Sequence, residues 1–289
     1  MRLFLLPIST RRTLIYCQKI KSLPTHKQTW VDKATVRAAQ LWAGWEQKES
    51  GWQKKVVEYG NSALRRIPYE EWGLKSVPPL STKRRQEEIL GKDKNVLIFP
   101  ETVIPLTKAT DVLRTLATER EALHRSRLLW CFVGMPISAP FALVPIIPNL
   151  PFFYLVYRAW SHWRALAGGK HIQFLVSNNL LAVAPSKVLD TIYPPLLPSS
   201  PSPTQSATNS NSKQPPPSET KLPEEEKMLL SQGNRHQLVK ALEIPELAVE
   251  LERAIWQVEH AIGRGREEKS KADASSAISK SPNPESNKE

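Results

Sequence analysis

Few residues of this chain could do chemistry. No spacing suits a zinc site, a nucleophile elbow or a Walker loop, and Gly168-Gly169-Lys170 lacks the spaced upstream glycine that a phosphate loop requires. Cys17 and Cys131 have neither metal-ligand spacing nor the pattern of a disulfide framework. Catalysis is therefore not expected, and no catalytic residue, metal ligand or cofactor is assigned. No Asp or Glu occurs from Ala122 through Leu189. The titratable groups near the centre of that interval are Cys131, Tyr154, Tyr157 and His162, and His162 alone has an intrinsic pKa suited to proton transfer near neutrality. Its neighbours place it on a polar helix face. With Asn149, whose side chain could contact a cation, it is a weak candidate for ion or proton contact.

The element that must position these groups is an apolar stretch. Between Arg127 and Arg158 there is no charged side chain. Leu128–Ile147, as a helix rising about 1.5 Å per residue, would span about 30 Å, the thickness of a bilayer core. Pro136, Pro140 and Pro145 each remove a backbone donor, at on the order of 3 kcal/mol in a soluble helix, so a kinked transmembrane segment or a hairpin is expected. Pro148-Asn149-Leu150-Pro151 is a turn and helix-start signal. The helix after it is expected to lie in the membrane interface, with Trp160 and Trp163 at headgroup level, Arg158 and Arg164 on its polar face, and an end at Gly168-Gly169.

The remaining segments are read from charge and periodicity. Lys and Arg outnumber Asp and Glu by 24 to 13 in 1–127 and by 4 to 1 in 128–198, whereas 199–289 hold 12 against 14, so the basic excess precedes the apolar stretch. Such a field suits anionic lipid or nucleic acid. Residues 1–30 are Arg-rich, hydroxyl-bearing and acid-free, which is the composition of a mitochondrial targeting segment. Residues 31–127 form a basic helical region. Its apolar stripe includes Leu41, Trp42, Trp45, Trp52, Val56 and Tyr59 at three- and four-residue steps, and Val96–Phe99 is a short strand candidate. From Thr110 a helix runs into the apolar stretch, with Glu121 and Arg125 placed for an i,i+4 pair. The apolar segment 128–147 and the interfacial region 148–193 are followed by a Pro/Ser-rich linker over 194–226 that cannot bury enough apolar surface to fold. An amphipathic helical region (227–263) carries Leu251, Ile255, Val258 and Ile262 at heptad-like steps, and 264–289 is a charged, disordered tail. The expected fold is mainly α: amphipathic N-terminal helices, one proline-kinked span or hairpin with an interfacial helix, a linker and a C-terminal amphipathic helix.

The strings MRLFLLPISTRRTLIYC, EYGNSALRRIPYEEWGLKSVPPL, IIPNLPFFYLVYRAWSHWRALAGGKH and LEIPELAVELERAIWQVE resemble the fungal mitochondrial K+–H+ exchange-related family. That resemblance implies the mitochondrial inner membrane and a part in potassium–proton exchange, with matrix cation and volume homeostasis as the outcome. An exchanger usually needs an ionisable carboxylate near mid-membrane, and one or two passes cannot form a sealed alternating-access path. An accessory, regulatory or assembly subunit is therefore expected, with anionic lipid and other subunits of the machinery as partners. Potassium and self-association are further candidates. An alternative is a membrane-tethered RNA- or ribosome-binding or scaffold protein; no RNA-binding module is visible, and nucleic acid is the weaker partner.

Overall fold

Arg2–Pro7 (β1) and Thr13–Gln18 (β2) pair antiparallel. In their turn the Ile8 N–H donates to the Arg12 carbonyl at 2.8 Å, and the Ser9 hydroxyl accepts from the backbone N–H groups of Arg11 (3.3 Å) and Arg12 (3.0 Å). The segment expected to be targeting-like is thus, as far as Gln18, a β-hairpin, with Ser9, Thr10, Arg11 and Arg12 in its turn and Arg2 and Thr13 in its strands. The structure, a computed structural model, describes residues 1–18, 37, 40, 41, 43–48, 50–91, 94–140, 150–193 and 226–279.

β1 also pairs in parallel with β3 (Asn95–Phe99), placing Leu3 opposite Leu97, and β3 pairs in parallel with β4 (Leu181–Pro185). The sheet order is β2-β1-β3-β4. Helices α1 (Trp52–Arg65), α2 (Tyr69–Ser76) and α3 (Thr82–Ile89) lie between β1's hairpin and β3. Helices α4 (Ala109–Thr118), α5 (Glu121–Ser138) and α6 (Leu150–Ser177) lie between β3 and β4. After β4 come α7 (Lys187–Ile192), α8 (Gln232–Leu242) and α9 (Leu247–Ser279).

Side chains alternate across a strand, and here both faces are covered. Leu3, Leu5, Ile15 and Cys17 pack with Leu74 of α2, Leu113 and Ala117 of α4, and Ala165, Ile172 and Leu175 of α6. Phe4, Leu6, Leu14 and Tyr16 pack on the opposite side with Leu189 of α7, Leu238 of α8, and Leu247, Leu251, Ile255 and Val258 of α9. A strand buried on both faces reads as a continuous apolar run. This explains why RLFLLP carried no alternation.

Four expectations are corrected. The fold is mostly helical, but a mixed sheet organises it. No helix among the described residues is long and apolar enough to cross a membrane: α5 starts with Glu121 and carries Arg125 and Arg127 before its apolar part from Leu128. Pro136 lies inside α5 and Pro140 just after it, while Pro145, Ile147 and Asn149 fall outside the described residues. Gly168-Gly169 does not end α6, which continues to Ser177. A Cβ on Gly168 would lie 2.0 Å from the Leu74 carbonyl oxygen, and one on Gly169 2.8 Å from that of Ala117, so the pair lets α6 touch the backbones of α2 and α4. α9 runs past Gly263 to Ser279, where a disordered tail was expected. Trp42, the linker over 194–225 and residues 280–289 lie outside the described residues. The Glu121–Arg125 pair forms at 2.8 Å.

Candidate functional site

α5 and α6 form an antiparallel pair, with Gly134 close enough that a Cβ would lie 3.1 Å from Leu155 Cδ1. Buried His124, Cys131 and Ser138 recur every seven residues and make the inward seam of α5. On α6, Arg158, Ser161 and His162 occupy one face because residues three and four apart are helical neighbours. This face was expected to meet water. Instead it is buried: Arg158 is 8% exposed, Ser161 0% and His162 1%.

What permits this is Glu71, itself 0% exposed, on α2. Arg158 donates to both its carboxylate oxygens, at 2.8 and 3.2 Å, and the Ser161 hydroxyl donates a third, short bond. Arg158 Nη2 also lies 3.0 Å from His162 Nε2. Guanidinium only donates, so this His162 nitrogen must accept, and the ring's proton sits on Nδ1. That proton points at His124 Nδ1, 3.0 Å away, which leaves the His124 proton on Nε2. His124 Nε2 is buried with no hydrogen-bond partner among the described residues. The polarity of the chain, Arg158 to His162 to His124, is fixed by the one member that cannot deprotonate.

Burial is the largest influence on Glu71 and would raise it, but the Ser161 and Arg158 hydrogen bonds and the Arg158 charge outweigh it, and the carboxyl titrates below its usual range. Burial pushes His162 down to about 4; the attraction of Glu71 opposes this, and the Arg158 charge adds to it. His124 is lowered as well, first by burial. Both rings are therefore neutral at physiological pH. A histidine with a depressed folded pKa binds its proton more readily when unfolded, so the stability it allows is complete above its ordinary 6.5 and is lost as pH falls toward 4. Glu71 acts with the same sign at lower pH. The chain is expected to lose urea resistance progressively between pH 6.5 and 4, and His162→Asn should flatten that slope; an unchanged slope would show that His162 binds its proton equally well in the folded and the unfolded chain.

Glu71, His124 and His162 place potential metal-ligand atoms within 4.8 Å of one another. The charges argue against a divalent cation: both Glu71 oxygens are held by Arg158, and the ion would adjoin a guanidinium with no spare anion. As arranged, the cluster is a neutralised ion pair locking α2 to α6, extended to α5 by the histidines. Beside it, buried Lys75 lies 3.6 Å from the Trp72 ring centroid and donates to Tyr157 Oη at 3.3 Å, and burial lowers its pKa to about 8. Farther along α6, His171 bridges the Pro78 carbonyl and Glu88.

Of the other residues singled out from sequence, Trp163 is 51% exposed, Trp160 is half-buried, and Arg164 donates to the Lys75 carbonyl at 3.1 Å. Leu128 is half-buried at the start of the apolar part of α5. Glu71 and His124 were not foreseen as partners of His162, nor Glu71 as that of Ser161. The available signal was Arg158 itself, which, if buried, demands a carboxylate that its own neighbourhood lacks.

No solved structure matches this chain. Two fungal proteins are similar to it, both described as uncharacterized. One, from Schizosaccharomyces pombe, is 29% identical over 192 residues, 66% of this chain and 81% of that protein. The other, from Saccharomyces cerevisiae, is 26% identical over 199 residues, 60% of this chain and 62% of that protein. The family model "Mitochondrial K+-H+ exchange-related" matches residues 2–176, a span that runs from β1 through the whole Glu71–Arg158–His162–His124 cluster nearly to the end of α6. The chain belongs to the mitochondrial K+–H+ exchange-related family.

Proposed function

We propose that the protein is an accessory, regulatory or assembly component of potassium–proton exchange at the mitochondrial inner membrane, and not the transporter alone. Family membership supports the exchange role. The observation that carries the accessory reading is the state of Glu71. It is a carboxylate buried against both α5 and α6, and Arg158 neutralises it through two hydrogen bonds, whereas Glu88, also buried, meets α6 alone through His171. A carboxylate that trades a proton for potassium must be free to lose one counter-charge and take another, and Glu71 is held by a partner that never deprotonates. His162 and His124, neutral and hydrogen-bonded to each other, hold α5 in place and offer no anionic ion site.

The test is potassium-acetate swelling of mitochondria from cells lacking the protein. Swelling is expected to be reduced, and to be restored by nigericin, which exchanges potassium for protons without protein. Normal swelling would remove the exchange role. Potassium–proton exchange by the purified protein in liposomes would overturn the accessory part and leave the rest standing.

A further inference from the structure

The α5–α6 pair ends in a surface that no other described element covers. On α5, Leu129 is 62% exposed, Trp130 70%, Phe132 57%, Val133 52% and Ile137 69%; at the same end of α6, Phe153 is 61% exposed. All belong to the stretch Leu128–Tyr157, which carries no charge. Single exposed apolar residues are ordinary, whereas a contiguous group of this size marks an interaction surface.

The geometry selects the occupant. Successive helical residues are about 100° apart, so Trp130 and Phe132 point about 200° apart, to opposite flanks of α5, with the Cys131 seam between them. A second copy or a protein groove would cover one flank. A fluid hydrocarbon phase covers both. Charge fits the same occupant. Exposed Arg125 and Arg127 stand immediately before Leu128, exposed Trp163 lies at the same level on α6, next to the His162 that meets His124, and no acid occurs from Ala122 through Leu189 to repel an anionic surface. Length is compatible with this occupant: the described apolar part of α5, Leu128–Ser138, is about 16 Å long at about 1.5 Å per residue, enough to reach through one leaflet of a bilayer core about 30 Å thick.

We propose that the apolar end of the α5–α6 hairpin inserts into one leaflet of an anionic membrane, with Arg125 and Arg127 at the headgroups and the sheet domain outside. This rests on the membrane location proposed above but not on the exchange role. The Glu71–Arg158 clamp at the base of the hairpin then fixes the angle between the inserted helices and the domain.

The experiment is flotation of the full chain with vesicles of phosphatidylcholine alone or mixed with phosphatidylglycerol, using an NBD label at Ile137→Cys or, as a surface reference, at Arg127→Cys. The protein is expected to float with the mixed vesicles. NBD at 137 should move to shorter wavelength and that at 127 should not, and an impermeant quencher trapped in the lumen should not reach 137. The double variant Phe132→Glu/Val133→Glu, with both sites exposed and circular dichroism as the folding control, should lower binding by roughly tenfold or more, the worth of one large buried apolar side chain. Absence of flotation, or flotation unaffected by the double variant, would overturn the proposal. So would quenching at 137 from the lumen, which indicates a full span, or a lipid-free dimer dissolved by the double variant, which indicates a second copy. None of these results would alter the swelling phenotype, so docking and exchange role fail separately.

Discussion

Replacing Arg158 by methionine is expected to lower the stability of the chain by about 3–5 kcal/mol, read as a drop in urea midpoint with little change in slope. The size comes from what is left behind. Glu71 is fully buried and would lose both guanidinium hydrogen bonds, keeping only that from Ser161. A carboxylate stranded in this way costs far more than the pair contributes when intact, because the attraction between the charges does little more than offset their removal from water. The double variant Glu71→Gln/Arg158→Met should therefore recover much of the loss, although it restores no salt bridge. A loss below about 1 kcal/mol for the single variant would mean that water reaches Glu71 and that the clamp is a surface pair.

The second large effect is expected at Gly168. Alanine is the better helix former by about 1 kcal/mol, and on propensity alone Gly168→Ala would stabilise α6. The new Cβ, however, would lie 2.0 Å from the Leu74 carbonyl oxygen, and that obstacle is backbone with no rotamer to escape into. Relief requires α6 to move off α2, disturbing the Glu71 cluster on the same two helices. A net destabilisation of about 3 kcal/mol or more is expected, sterics outweighing propensity. Gly263→Ala is the control: nothing lies within 4 Å of its Cβ position, so it should be neutral or stabilising by up to about 1 kcal/mol. Equal melting shifts for the two variants would refute the close-approach account.

Local periodicity made some of this legible. Val96–Phe99 shows as a strand because a short apolar run rich in β-formers ends at a proline, and the stripe Leu251, Ile255 and Val258 shows as a helix face because its outer side is polar. The N-terminal hairpin was not legible: burial on both faces removed the alternation that marks a strand, leaving an apolar run beside arginines. The α6 face was misread for a related reason. Polarity ordinarily marks the wet side of a helix, and a polar face can turn inward only when its partners come from elsewhere. Here Glu71 lies 87 residues from Arg158 in sequence, and His124 lies 38 from His162. Gly168-Gly169 carried the same ambiguity, since two glycines can end a helix or let another backbone approach. Nothing local distinguishes the cases. Site residues supplied by separate elements are a property of packing, and the two that could be named in advance, Arg158 and His162, were placed on the right helix face with the wrong surroundings.

The position of β1 has a consequence for how the chain is made. Its neighbours on the sheet are β2, which follows at once, and β3, about ninety residues later; the apolar layer over one of its faces comes from α7, α8 and α9. A ribosome or a translocation channel delivers β1 more than two hundred residues before Leu230–Val258. The buried side chains of β1 thus wait through more than two hundred residues of synthesis, or of passage through a pore, without the layer that will cover them. Closing that gap late costs little in equilibrium terms, because loop entropy grows only slowly with length, but it lengthens the interval in which the strand is open to wrong partners. A chain arranged in this way depends on a holding factor during delivery more than one whose strands meet in order.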